Sequence, residues 1–246
     1  MGIVTKLWLG VRATLFWLGF ASSTLFYGLL SPLLNFIPYP TAYRILVSWC
    51  SFNVWWLKIT CGVNYRIEGL ENIPTQGAAV LMANHQSTWE TLAFAPIFPA
   101  GTWVLKRELL KVPFFGWGLR VIKPVAIDRS AGQNAVDQVK EQGKARLDAG
   151  IWMFVFPEGT RVKFGAKARY KLGGAILATH ANVPVLPVAH NAGASWPRHS
   201  YIKIPGTITV KVGKPIASTG KSAEALMQEV EQWIEAEKGK LVFQPA

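Results

Sequence analysis

His85 and Glu90 stand five residues apart, just past the apolar run Ala78-Ala79-Val80-Leu81-Met82. An imidazole is well suited to take a proton near neutral pH. A carboxylate bonded to its far nitrogen sets the tautomer and stabilises the imidazolium that forms. The spacing imposes a condition. Residues five apart on a regular helix lie about 140° apart around the axis, so the two side chains meet only if His85 lies at or before a helix start. Asn84, Ser87 and Thr88 are cap-forming residue types near that start. Taken alone, the pair reads first as a capping histidine beside a surface glutamate; the second cluster reverses that.

A second cluster, Phe156-Pro157-Glu158-Gly159-Thr160-Arg161, ends another apolar run. Gly159 lets backbone N–H groups approach a ligand closely. Thr160 brings a hydroxyl, and the Arg161 guanidinium matches a phosphate bidentately. Glu158, acceptor-only when ionised, suits an acceptor hydroxyl or Arg161 itself. An ordinary turn with a surface arginine reads the same way in isolation. Together the clusters supply a base and an anion clamp, the parts needed for acyl transfer onto the hydroxyl of a phosphorylated acceptor. Other hydrolytic layouts are missing. There is no G-x-S-x-G elbow, since Gly193-Ala194-Ser195-Trp196 fails the pattern, and no H-E-x-x-H or Cys/His zinc spacing.

Positioning these residues calls for strands that end at the clusters. After about Gly62, short apolar runs alternate with amphipathic segments, the pattern of an α/β domain. Strands are expected at 78–82, 103–105, 124–127, 152–156, 183–189 and 207–212. Helices are expected after Gln86 and at 132–147, 172–179 and 223–237, the last with Leu226, Val230 and Ile234 at helical spacing. Pro184 and Pro187 demote their run to an edge strand or mark where it meets a site.

The first 61 residues differ. No charged side chain occurs from Ala13 to Tyr43, with Lys6 and Arg12 before and Arg44 after. The stretch 13–37 is long enough to span a bilayer, and Pro32, Pro38 and Pro40 should break or end its helix. A second, Trp-rich apolar segment at 45–57, closed by Lys58, reads as interfacial or re-entrant. Basic residues at both outer ends suit a hairpin that enters and leaves on the cytoplasmic side. A single-pass anchor is another reading, and Gly19-Phe20-Ala21 has the small residues of a leader cleavage site, although the apolar run continues well beyond it. The division expected is a membrane-embedding helical segment at 1–61 and an α/β domain at 62–246.

Composition agrees. Of 246 residues, 50% are hydrophobic and 16% charged, under the ~25% charge of soluble domains, with 11 Trp and a net charge of +12. A basic, indole-rich, apolar chain fits an anionic membrane face better than a nucleic acid, for which no motif is present. Cys50 and Cys61 sit in apolar surroundings and read as buried free thiols of a reducing compartment.

His85 with its acid, followed by the Phe156-to-Arg161 block, resembles the glycerolipid acyltransferase family, in particular members that acylate lysophosphatidic acid. Three further blocks support this: Lys106-Arg107-Glu108-Leu109 with Pro113 and Gly116; Lys123-Pro124-Val125-Ala126-Ile127-Asp128-Arg129; and Val183-Pro184-Val185-Leu186-Pro187-Val188-Ala189. The blocks run in order from Asn84 to Ala189. The family pattern has Asp where this chain has Glu90, which keeps the charge and adds one methylene.

The resemblance implies an α/β fold with a mixed sheet flanked by helices, preceded by an N-terminal membrane-embedded helical motif. It implies His85 as general base on the lysophosphatidic acid hydroxyl, with Glu90 orienting it. Arg129, Glu158, Gly159, Thr160 and Arg161 would bind the glycerol phosphate, and Lys106 the phosphate or the thioester donor. The donor would be acyl-CoA or acyl-acyl carrier protein, with no metal, no other cofactor and no acyl-enzyme. The expected place is the inner (cytoplasmic) membrane, catalytic domain on the cytoplasmic side, with the phospholipid bilayer as partner. Phe114, Phe115 and Trp117 read either as membrane surface or acyl groove, or as core packing. Another lysophospholipid or glycerol phosphate is an alternative acceptor. From a different class, a non-catalytic lipid-binding protein could keep the fold, though an intact His85 with an acid at 90 argues against it.

Overall fold

The computed structural model describes residues 2–128 and 133–245. Two long helices come first: α1 (Ile3–Leu34) and α2 (Tyr39–Cys61). Pro32 lies in the last turn of α1, while Pro38 caps α2 and Pro40 sits in its first turn, so each proline falls at a helix end. The pair is an antiparallel hairpin. Trp56 Nε1 donates to the Leu15 carbonyl at 3.1 Å, Asn53 Nδ2 to Ser23 Oγ at 3.2 Å, and Tyr27 and Ser48 share a hydroxyl bond at 2.7 Å. Gly19 permits the close crossing, since a Cβ there would lie 2.1 Å from Trp56 Nε1. Both Cys50 and Cys61 are buried and free.

The rest is a three-layer α/β/α fold. Eight strands form one mixed sheet: β1 (Val63–Glu68), β2 (Val80–Ala83), β3 (Gly101–Lys106), β4 (Val125–Ile127), β5 (Trp152–Val155), β6 (Val185–His190), β7 (Gly206–Val212) and β8 (Gln244–Pro245). The order is β1-β7-β6-β2-β5-β3-β4, with β8 on β7. β6, β2, β5, β3 and β4 pair in parallel, and β7 reverses direction against β6. Strands β2, β5 and β6 are buried on both faces, which is why they read as unbroken apolar runs.

Period-two alternation splits each strand between two cores. Leu81, Phe154, Leu186 and Val188 face the hairpin and α3 (Trp89–Ile97), where Leu57, Trp89 and Phe94 pack. Val80, Met82, Met153 and Val185 face α5 (Gln133–Asp148), α6 (Gly173–Ala181) and α8 (Ala223–Lys240), through Val139, Leu177, Leu226, Val230 and Ile234. The remaining helices are short: α4 (Phe115–Val121) and α7 (Ala192–Ser195).

Six of the expected strands are found within a few residues of their predicted limits. β1 and β8 were not anticipated, nor were α4 and α7. The expectation of an edge strand at 183–189 is corrected: β6 lies between β2 and β7, inside the sheet. Pro184 precedes the strand. Pro187 is tolerated because its carbonyl, which accepts Gly213 N–H at 2.9 Å, points to where β7 has just ended, so its missing N–H breaks no rung.

Candidate active site

The carboxyl ends of β2, β5 and β6 meet on one rim of the sheet, the place where open α/β sheets bind ligands. His85 lies in the loop after β2 and before α3, as its spacing required. Its Nδ1 is 2.8 Å from Glu90 Oε1. The same oxygen accepts the N–H groups of Gln86 at 2.8 Å and Ser87 at 2.7 Å. A carboxylate oxygen that gathers three donors is ionised, so the imidazole proton sits on Nδ1 and Nε2 carries the free lone pair. Burial works to raise the fully enclosed Glu90 carboxyl. The His85 and Ser87 hydrogen bonds, with the attraction of the His190 and His85 rings when these are protonated, outweigh it and hold the group below its ordinary value. Of the cap-forming types, Ser87 acts: its Oγ accepts Trp89 N–H at 3.1 Å.

Two supports were not foreseen. Asn84 exchanges hydrogen bonds with the backbone of His190, Nδ2 to its carbonyl and Oδ1 from its N–H, both at 2.9 Å. His190 Nε2 in turn donates to the Asn84 carbonyl at 2.6 Å, while its Nδ1 accepts Ala192 N–H. That pattern requires neutral His190, and desolvation does hold its pKa down. The lock extends the β2–β6 ladder one step past the strand and fixes the residue before His85. Phe156 stacks on the His85 ring at 4.2 Å, interplanar angle 10°. The sequence signal for the lock was a buried His at the end of β6; an apolar Phe next to a proline carried none.

The second cluster turns under the first. Glu158, 4% exposed, accepts the His85 backbone N–H on Oε2 at 2.5 Å. Val162 N–H donates to the His85 carbonyl at 2.7 Å. Burial pushes the Glu158 carboxyl up to about 7, opposed by the His85 N–H and Lys238 and aided by Glu90 and Glu235. Gly159 has a φ of 69°, and a Cβ there would meet the Lys171 ammonium at 2.9 Å. Arg161 donates from Nη1 to Thr88 Oγ1 at 2.8 Å, just before α3. Thr160 is exposed.

Thus His85, Glu90, Glu158, Gly159, Thr160 and Arg161 converge. Lys106 ends β3 on the same rim, exposed, with β5 between it and β2. That puts it about 10 Å away across the sheet. Arg129 lies outside the described residues, just beyond β4. Phe114 packs on Gly28 of α1 and on Trp117, so this segment ties α4 to the hairpin. Arginine and backbone N–H groups around a histidine with a free lone pair can hold an anion and remove a proton beside it.

A histidine–carboxylate pair at the carboxyl ends of parallel strands is the layout of an α/β group-transfer enzyme. The chain belongs to the acyltransferase family, whose model matches residues 64–191. It is 42% identical to the 1-acyl-sn-glycerol-3-phosphate acyltransferase of Pseudomonas aeruginosa, over 91% of this chain and 89% of that protein. It is 28% identical to the Saccharomyces cerevisiae protein of that name, over 78% of this chain and 64% of the relative, so it spans under two thirds of the yeast chain. The crystal structure of the 1-acyl-sn-glycerophosphate (LPA) acyltransferase PlsC from Thermotoga maritima superposes with a TM-score of 0.79 at 25% identity, covering 93% of this chain and 94% of that one.

Proposed function

We propose that the protein transfers a fatty acyl group from an acyl thioester to the sn-2 hydroxyl of 1-acyl-glycerol-3-phosphate, giving phosphatidic acid. The observation that carries this reading is the His85–Glu90 pair at 2.8 Å with Nε2 left to act, in a chain 42% identical to a relative with that name. His85 Nε2 takes the hydroxyl proton as the oxygen attacks the thioester carbonyl. The tetrahedral intermediate expels the thiolate as the C–S bond breaks, and the imidazolium returns the proton to sulfur. Glu90 stabilises the imidazolium meanwhile. The histidine carries the proton transfers, so the scheme involves no metal and no acyl-enzyme.

Arg161, the Gly159 backbone, Thr160 and Arg129 bind the acceptor phosphate. Glu158 holds the His85 backbone, and Lys106 meets the phosphate or the donor. The donor is acyl-CoA or acyl-acyl carrier protein. The hairpin to residue 61 embeds in the bilayer and presents the domain from 62 onward to lipid from the cytoplasmic side of the inner membrane. α1 supports this with a mean hydropathy of 1.4 over its best window and a row of exposed Leu, Phe and Trp side chains. Arg161→Ala should raise KM for the phosphorylated acceptor about tenfold or more, as expected for one lost charge-assisted pair. An unchanged KM would remove Arg161 from the clamp. Crossing several lysophospholipids with both donors, in vesicles, decides acceptor and donor; no transfer to lysophosphatidic acid would reject the reading.

A further inference from the structure

From Gly159 to Ala223 the chain has no acidic residue and ten Lys and Arg. Besides Arg161, four of these cations crowd the loop between β5 and α6: Lys163, Lys167, Arg169 and Lys171. The loop starts at the site, where Val162 N–H donates to the His85 carbonyl at 2.7 Å. From Ala166 to Lys171 its burial alternates with the period of two of an extended chain. Ala166 and Ala168 are half-buried and Tyr170 is buried, while Lys167, Arg169 and Lys171 are exposed. The inner side is fixed by α8. Lys238 Nζ donates to the Ala166 carbonyl at 3.3 Å, and the Tyr170 hydroxyl donates to Glu235 Oε1 at 3.1 Å. Lys171 N–H closes the loop on the Pro157 carbonyl at 2.9 Å.

Among the described residues, none of the four side chains has an ion pair or a hydrogen bond. Like charges held side by side repel, so the strip does nothing for stability by itself; an acidic partner accounts for it. Its place excludes the bilayer. The loop is held to α8, which packs on the sheet face opposite the hairpin, and this sets it away from a membrane entered by α1. Its shape disfavours a nucleotide, which needs a concave pocket: the cavities beside Trp233 and Trp117 include no residue of the loop. Its spacing suits a helix. Alternate residues of an extended chain recur about every 7 Å, and carboxylates at every fourth position of a helix recur about every 6 Å.

We propose that the outer edge of the 163–171 loop, formed by Lys163, Lys167, Arg169 and Lys171, is the docking surface for an acidic protein that brings the acyl thioester, the carrier-protein form of the donor. The proposal rests on the acyl-transfer reading above. A protein docked on this edge sits beside His85, because the loop begins on the His85 carbonyl. The cations speed encounter and hold the carrier at low salt, and they take no part in the proton transfers.

The test uses full-length protein in vesicles, with lysophosphatidic acid as acceptor and either acyl-acyl carrier protein or acyl-CoA as the varied donor. The triple variant Lys163→Glu, Lys167→Glu, Arg169→Glu should raise KM for the carrier-protein donor about tenfold or more. Its kcat and its KM for acyl-CoA should stay within about twofold of wild type, since the triad of site, clamp and acceptor is untouched. In wild type, KM for the carrier-protein donor should climb with ionic strength, and the variant should lose most of that slope. Should the Glu variant fail to fold, the corresponding triple Gln variant reads the same donor-selective rise at smaller size. An unchanged KM for the carrier protein, or an equal rise for both donors, overturns the proposal. So does release of the variant from anionic vesicles with both donors slowed alike, which would make the strip a bilayer contact. A wild type that uses acyl-CoA and not the carrier protein also overturns it, and leaves the acyl-transfer reading standing. A wild type that transfers from neither donor rejects that reading, and the proposal falls with it.

Discussion

Glu90 does two jobs with one oxygen: it orients the His85 ring and pins the Gln86 and Ser87 amides. Glu90→Gln keeps the size but removes the charge that stabilises the imidazolium. It should lower kcat about a hundredfold with little change in KM, and steady-state kinetics at saturating donor would show it. Spacing supplied the condition that His85 precede the helix, while the blocks that follow, and not the spacing, made the two residues a pair. Glutamate at 90 meets the ring because the loop before α3 brings the backbone close. The role of Glu158 was not legible, since its partner is a backbone N–H seventy-three residues away in sequence, with no side-chain signature.

The elevated Glu158 carboxyl has a consequence for stability. Between the ordinary value of 4.5 and about 7, the folded protein binds more protons than the unfolded chain, so stability falls as pH rises through that window. The loss attributable to this group is about 3 kcal/mol. In Glu158→Gln the unfolding midpoint should lose that slope; an undiminished slope would place the titrating group elsewhere.

Among the elements, the strands that end at the site are the ones the sequence announced, because strands buried on both faces leave uninterrupted apolar runs. β1 escaped notice because Asn64, Arg66 and Glu68 interrupt it; its pairing with β7 was set by the sheet and not by its own pattern. The join between hairpin and domain was equally hidden. Lys203, 1% exposed, sits against the rings of Phe16 and Trp17 of α1 and of Trp196, at 4.9, 3.8 and 4.6 Å, and donates to the Tyr201 carbonyl. Four aliphatic carbons and an amine, whose pKa burial lowers to about 7, here fasten α1 to the β7 side of the sheet. Lys203→Ala removes the cation–π contacts and leaves a cavity, and should cost about 3 kcal/mol. Differential scanning in detergent measures it; a midpoint within a degree of wild type would deny the joint this role.

For the molecule as a whole, the hairpin and the catalytic sheet share one continuous apolar core, so the site is held at a fixed height above whatever surface α1 enters. Leu18, Phe26 and Leu29 lie exposed on α1. Replacing the three with Glu should release the protein from anionic vesicles in a flotation assay, since each charge costs about 3 kcal/mol in hydrocarbon; full retention would contradict embedding by this face. A basic, apolar chain suits the anionic lipid acceptor proposed for it. The central claim is that His85, oriented by Glu90, activates the hydroxyl of that acceptor. Its most direct test is phosphatidic acid formation from lysophosphatidic acid and an acyl thioester in vesicles, comparing wild type with His85→Ala. The account predicts product from the wild type and a loss of at least about a hundredfold in the variant; undiminished acyl transfer by His85→Ala would contradict it.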